Sequence, residues 1–237
     1  MPESPSTRPT IALLQSNSLT MAVQQEVERA ILAGEYAPGD KLNEAALSLK
    51  LGVSRGPIRE AFRMLDEAGL VRTEKNRGVF VRDIPLEEAV EIFELRAAME
   101  QQVGRRLATR MTLAQQHEIE AVVHAMEAAV DAGNAHQYHL LNLQFHDRLV
   151  EMAGNRKLAT IYRKLVKEIS LFRRLNLRGQ SMLPDSAHAH WGILEALKTG
   201  DPDQAGRALF DHVMGSRERT LANADPQRHP DRSEPVP

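Results

Sequence analysis

The sequence has no cysteine among its 237 residues. That excludes disulfides, thiolate nucleophiles and every zinc site built on sulfur. A metal here has to be held by His, carboxylate, amide or water. No apolar run approaches the roughly 20 residues of a membrane span, and Met1 to Pro9 is polar and Pro-rich rather than a signal peptide. The expectation is therefore a soluble, cytoplasmic protein without a membrane partner. There is no internal repeat. Nor is there a large excess of one charge: the formal net charge is −2, from 30 Lys and Arg against 32 Asp and Glu. The composition, 42% hydrophobic and 26% charged, is ordinary for a globular chain. At roughly 150 residues per domain, the length allows one or two domains.

Four segments are expected. Residues 1–17 carry Pro2, Pro5 and Pro9 among Ser and Thr and read as a flexible leader, and residues 223–237 have too few apolar groups to offset ordering entropy. Between them, residues 18–83 give a helix over Leu19–Ala33, a turn at Ala37-Pro38-Gly39-Asp40 and a short helix over Asn43–Leu51. A third helix follows, with Ser54 as N-cap and Gly69 past its end, then a small β-hairpin from Leu70–Glu74 and Gly78–Arg82. Helix, helix, helix, hairpin is a winged helix-turn-helix plan. Residues 84–222 read as all helical, in six segments. A capping box at Thr112 and Gln115, a break at Asp131 to Asn134 and an N-cap at Asp201 before Pro202 mark some of the boundaries. The expected fold is mostly α: a winged helix-turn-helix followed by a helical bundle.

Charge is concentrated locally. From Lys50 to Arg82 there are eight Lys or Arg against four Asp or Glu. Arg55, Arg59 and Arg63 recur at i, i+4 and i+8 on one face of the third helix, with Ile58, Phe62 and Leu65 on the other. A helix anchored by one face and presenting a guanidinium row on the other suits the groove of double-stranded DNA, where Arg reads guanine edges or holds phosphates. Arg77 at the hairpin tip is placed like a wing residue reaching a minor groove or backbone. A row of three arginines alone could equally be a solvated face. The preceding helix, the tight Gly-Val-Ser turn and the basic wing argue for the groove.

Four stretches carry a resemblance. Ile31-Leu-Ala-Gly-Glu-Tyr-Ala-Pro-Gly-Asp-Lys-Leu-Asn-Glu, Leu51-Gly-Val-Ser-Arg-Gly-Pro-Ile-Arg-Glu-Ala and Leu65-Asp-Glu-Ala-Gly-Leu-Val with Gly78-Val-Phe-Val resemble the GntR family of bacterial transcription regulators. The resemblance implies that Arg55 and Arg59 contact operator DNA and that Gly78 approaches the minor groove. With Ser54, Arg63 and Arg77 these form the expected DNA-binding set. Some members carry an Arg early in the second helix, where this sequence has Ala45.

The second block holds Asn142-Leu-Gln-Phe-His146 on one helix, with His190 and His212 in the last two segments. Asn142 and His146 are neighbours at i and i+4. His190 and His212 flank the turn at Gly200 at similar distances, so in an antiparallel pair they can face each other. Three imidazoles and an amide oxygen converging in a bundle would make a borderline divalent-metal site. His139 and His188 are near enough to compete. The segments Glu94-Leu-Arg-Ala-Ala-Met-Glu100, Phe145-His-Asp-Arg-Leu and Gly154-Asn, with the 22-residue step from His190 to His212, resemble the FCD effector domain of the FadR-type branch, in its shorter VanR-like form. That resemblance implies a divalent metal, zinc first with nickel or manganese as alternatives, held by Asn142, His146, His190 and His212. It also implies a small carboxylate or sugar-acid effector seated against the metal. Asn142 stands where many members have Asp, and Ala189 replaces an acidic residue frequent before the third ligand. Arg96, in the family's Arg-x-x-x-Glu pattern, is the expected cation for the effector carboxylate, with a Glu100 salt bridge as the competing reading. The basic run Arg163, Lys164, Lys167, Arg173, Arg174 and Arg178 reads as a solvated face or a subunit contact.

The expected function is a homodimeric transcription regulator, by family default a repressor relieved by ligand, on a pseudo-palindromic operator. Two rivals remain. One is a metal-dependent enzyme using the histidines, for which no acidic residue stands as an obvious general base. The other is a bundle that only dimerises.

Overall fold

The computed structural model describes residues 11–176 and 185–224, with side chains over 18–173 and 188–224. It divides into two compact units, Met1–Asp83 and Ile84–Pro237.

The first unit contains α1 (Ile11–Ala33), β1 (Lys41–Leu42), α2 (Glu44–Leu51), α3 (Arg55–Glu67), β2 (Val71–Glu74) and β3 (Gly78–Val81). Two expectations need correction. α1 begins at Ile11, inside the stretch expected to be leader, because no Pro or Gly interrupts the chain between Pro9 and Gly34; residues 1–10 lie outside the described residues. The wing is also a three-stranded antiparallel sheet in the order β1-β3-β2, rather than a lone hairpin. Leu42 pairs with Val79 and Val71 with Val81, so the short run after Asp40 is held by the wing rather than by its own pattern. Two residues are too few to show a period-two signal.

Recognition geometry follows from local chemistry. Asn43 caps α2 by accepting from the Ala45 and Ala46 amides, and Gly52 ends it in the left-handed region at φ 66. Both fit a tight turn into α3. α1 packs on α3, and Val23, Val27, Ile31, Ile58, Phe62 and Leu65 are buried. Removing each such side chain from water stabilises by about 1.5–3 kcal/mol, which pins one face of α3 and leaves the other outward.

The second unit contains α4 (Leu86–Ala108), α5 (Leu113–Asp131), α6 (Ala135–Met152), α7 (Arg156–Asn176), α8 (Asp185–Lys198) and α9 (Pro202–Ala222). The Thr112–Gln115 capping box and the Asp201 cap, with Pro202 in the first turn, form as expected. α4 and α9 make the most extensive contact. Gly104 and Gly206 permit it: a Cβ on Gly104 would stand 2.6 Å from the Ala205 carbonyl oxygen, and one on Gly206 3.1 Å from that of Gln101. The core joins Leu107, Val123, Met126, Phe145, Leu194 and Leu209, among others. Among the described residues, no helix is long and apolar enough to cross a membrane.

Candidate nucleic-acid interface and metal centre

In the first unit Arg55, Arg59 and Arg63 are all exposed, while Ile58, Ala61, Phe62 and Leu65 of the same helix are buried. Arg59 and Arg63 sit in shallow ion pairs that an anion can replace. The Arg59 Nε donates to Glu44 at 2.9 Å and Arg63 donates to Glu60 at 2.6 Å, with the arginine side chains 63% and 73% exposed; such pairs contribute little to stability. Arg55 has no ion-pair partner among the described residues. Ser54 precedes α3 without a side-chain capping bond. At the wing, Arg77 pairs with Glu74 and remains exposed, and Gly78 has φ 117.

Lys41 and Arg72, which sequence reasoning missed, stand with Arg77 around the Phe80 ring at 5.6–6.0 Å from its centroid. Their signal was the pairing of β1 and β2 on either side of β3, which brings residues distant in sequence to one ring. A cleft of about 540 Å³ runs between α3 and the sheet, lined by Lys41, Arg55, Arg59, Arg63, Thr73 and Gly78, among others. Helix row and wing thus form one cationic surface.

In the second unit, α6, α8 and α9 bring His146, His190 and His212 together, with one ligand atom from each lying within 4.8 Å of the others. His146 and His190 are buried and His212 is half-buried. The His190 Nε2 lies 3.0 Å from the Asn142 Oδ1, so all four expected ligands share one locus. The Nδ1 of His212 is buried without a hydrogen-bond partner. Burial, followed by the neighbouring His146 and His190, holds the His212 pKa well below the ordinary value, so its imidazole is neutral and its lone pair free. His139 and His188 are exposed and stand outside the cluster. Asp147 pairs with Arg163 instead of turning toward the histidines.

Behind His146 lies a carboxylate hub. Glu100 Oε2 is 2.7 Å from the His146 Nδ1, while Oε1 accepts from the Arg96 Nη2 at 3.0 Å and the Tyr162 hydroxyl at 2.9 Å. Burial pushes the Glu100 carboxyl up, but His146 and Arg96 beside it and the Tyr162 hydroxyl outweigh that and bring it down to about 2. An ionised Glu100 on Nδ1 fixes the tautomer that leaves the His146 Nε2 free to coordinate. Arg96 is thereby paired with Glu100, as the competing reading had it, yet its Nε is buried and unbonded. The Arg-x-x-x-Glu spacing showed the pair; nothing local showed that Glu100 also reaches His146, 46 residues away.

Arg173 departs from the solvated-face expectation for the basic run; Arg174 and Arg178 lie outside the described side chains. Arg173 turns inward, donating from Nη2 to the Ser216 Oγ at 2.7 Å and from Nε to the Thr220 Oγ1 at 3.3 Å, and its guanidinium carbon lies 5.3 Å from the Phe93 ring centroid. The signal was periodicity. Tyr162, Ile169 and Arg173 fall on one stripe of α7, and the first two are buried.

Comparison with known proteins assigns a family to each of the two units. Residues 19–81 match the model of bacterial regulatory proteins of the gntR family, and residues 91–215 match that of the FCD domain. The HTH-type transcriptional repressor RspR of Escherichia coli is 28% identical over 199 residues, 82% of this chain and 87% of its own. The gluconate operon transcriptional repressor of Bacillus licheniformis is 26% identical over 216 residues, 86% of this chain and 87% of its own. The solved structure of E. coli McbR/YncC superposes with a TM-score of 0.72 at 18% identity, covering 86% of this chain and 97% of that one, a likeness of fold.

Proposed function

The chain belongs to the GntR family and is a DNA-binding transcription regulator with an FCD domain, and from that premise we propose that a small organic acid, seated at a divalent metal in the helical unit, controls its affinity for its operator. The carrying observation is the convergence of the His146, His190 and His212 ligand atoms within 4.8 Å, with the Asn142 oxygen beside them.

The donor set fits a metal. Ligands about 2.0–2.1 Å from one ion lie about 3.0–3.4 Å from each other. The Asn142–His190 separation of 3.0 Å already falls in that range, and the wider imidazole spacing needs only small side-chain movements. A neutral, partnerless nitrogen on His212 and a Glu100-fixed tautomer on His146 are what a cation requires of imidazoles. Asn142, His146, His190 and His212 would hold it, with zinc first and nickel or manganese as alternatives. The ion would supply an open coordination position and positive charge to a carboxylate. Asn142 in place of an acid leaves the site one charge more positive, which favours an anionic effector. The unbonded Nε of Arg96 offers that effector a further donor. The relative that regulates a gluconate operon supports a sugar acid as the class.

On the DNA side, Ser54, Arg55, Arg59 and Arg63 hold phosphates and read the major groove, while Arg77 and Gly78 reach the minor groove from the wing. The protein acts in the cytoplasm as a homodimer, its two-fold axis mirrored in a pseudo-palindromic operator. The effector shifts the population of DNA-competent molecules, with repression relieved on binding. The test combines elemental analysis of the purified chain with a thermal-shift series of sugar acids, hydroxy acids and dicarboxylates. Co-purified or rebound metal together with a saturable acid response supports the reading. No metal, and no response in either wild type or His146→Ala, leaves a bundle that only dimerises.

A further inference from the structure

We propose that Arg173 takes the carboxylate of the effector, and that the effector is a small organic acid short enough to touch this guanidinium and the imidazole cluster together. The proposal rests on the effector-binding reading of the helical unit.

Three observations lead to it. First, Arg173 is an inward cation without an acid: its partners are two neutral hydroxyls and an aromatic face, and no carboxylate pairs with it among the described residues. Arg96, by contrast, already holds Glu100. Burial and the positive charges of Arg96 and Arg219 all disfavour charge on Arg173 and lower its pKa from the ordinary value. A guanidinium stays protonated in proteins, and no carboxylate among the described residues balances this charge.

Second, the charge lies close to the candidate metal centre. Ser216, which binds the Arg173 Nη2, is one helical turn beyond His212 on α9, about 6 Å along the axis. A hydroxy acid or dicarboxylate of a few carbons spans such a gap. His212 is itself close enough to Arg96 and Arg219 for their charges to act on it, so the imidazoles and the arginines share one neighbourhood.

Third, donors there lack acceptors. The Arg96 Nε is buried and unbonded, as is the hydroxyl of Tyr138, whose pKa burial pushes up to about 12 even with Arg219 near it. An anion supplies the missing acceptors, and Arg173 offers a planar fork that matches a carboxylate bidentately.

The test uses the metal-loaded, full-length protein with D-gluconate, L-lactate and succinate as probes and D-glucose as the neutral control. Melting shifts and calorimetric affinities are compared for wild type, Arg173→Met and Arg173→Lys. The expected result is that at least one acid stabilises wild type saturably and glucose does not. Arg173→Met weakens that acid by at least about thirtyfold. Arg173→Lys, which keeps the charge without the fork, weakens it by about tenfold. Ligand-free Arg173→Met melts no lower than wild type, because a strained cation has been removed. An acid response with unchanged affinity in Arg173→Met makes Arg173 a structural arginine and overturns the proposal, while the effector reading stands. If Arg173→Met does not fold, unchanged affinity in Arg173→Lys overturns it equally. Wild type silent to every acid removes the effector reading and this proposal with it.

Discussion

Replacing Glu100 by Gln keeps the side-chain volume but changes two interactions at once. The Gln carbonyl can still accept from the Arg96 Nη2 and the Tyr162 hydroxyl, as Oε1 does at 3.0 and 2.9 Å. Its NH2 then faces the His146 Nδ1, 2.7 Å from Oε2 in the wild type. A donor there forces His146 into the tautomer with hydrogen on Nε2, the nitrogen that would otherwise coordinate. The charge effect can be estimated. Glu100 falls from an ordinary 4.5 to about 2, so the fold favours its ionised form by roughly 3 kcal/mol. That agrees with the roughly 3–5 kcal/mol lost when one member of a buried ion pair is removed. Because the folded pKa is the lower one, this stabilisation is complete above about pH 4.5 and disappears as pH falls toward 2. Glu100→Gln should therefore lose about 3 kcal/mol at neutral pH and bind metal at least about tenfold more weakly. Trp191 is the only tryptophan and lies in α8, so its fluorescence in a urea titration reports on the helical unit alone. A loss under 1 kcal/mol with wild-type metal affinity would refute the hub.

Arg59→Ala should weaken specific operator binding by roughly ten- to hundredfold in fluorescence anisotropy and leave the melting curve unchanged, since its pair with Glu44 is exposed. Wild-type affinity in that variant removes α3 from the groove. Gly104→Val places atoms where the Ala205 backbone already stands at 2.6 Å, and should destabilise the helical unit by about 1–3 kcal/mol or more in denaturant unfolding; an unchanged midpoint means that the α4–α9 crossing is looser than it looks. Asn142→Asp adds a negative charge beside the histidines and should tighten metal binding while weakening the acid. Calorimetry showing both affinities moving in the same direction would place the Asn142 oxygen outside the site.

The parts legible in the sequence were those whose causes are local. Arg55, Arg59 and Arg63 repeat at helical spacing against Ile58, Phe62 and Leu65, so the outward cationic row follows from 3.6-residue periodicity. The Thr112 and Asp201 caps and the Gly52 turn depend on one to four residues and were equally readable. β1 was not, because two residues carry no pattern and their strand character comes from pairing with Val79 and Phe80. The start of α1 was missed for the opposite reason: the prolines at its front suggested leader, but the last of them precedes the helix. Among the histidines, spacing gave the partners through the antiparallel placement of α8 and α9. It could not give Tyr162 on Glu100, a contact made across 62 positions. Arg173 differs from the rest of the basic run because a run on a helix divides by face, and this residue falls on the stripe of Tyr162 and Ile169, which are buried.

The two cationic features of this chain differ in what surrounds them, and that difference bears on regulation. In the α3 row Arg59 and Arg63 are exposed and paired with Glu44 and Glu60, so on the proposed reading the gain on binding phosphates comes from counterion release and falls steeply with salt. Arg173 is half-buried and the unbonded Nε of Arg96 is buried, and an unmatched donor or charge held away from water is costly. A ligand that supplies acceptors there gains interactions the free protein lacks, and the unliganded state is the strained one. If the proposed metal binds beside the same residues it adds positive charge there, and on that reading metal and acid each raise the affinity for the other by the same factor. The proposed reading therefore expects the metal-free protein to bind the acid weakly and the metal-loaded protein to be stabilised by both.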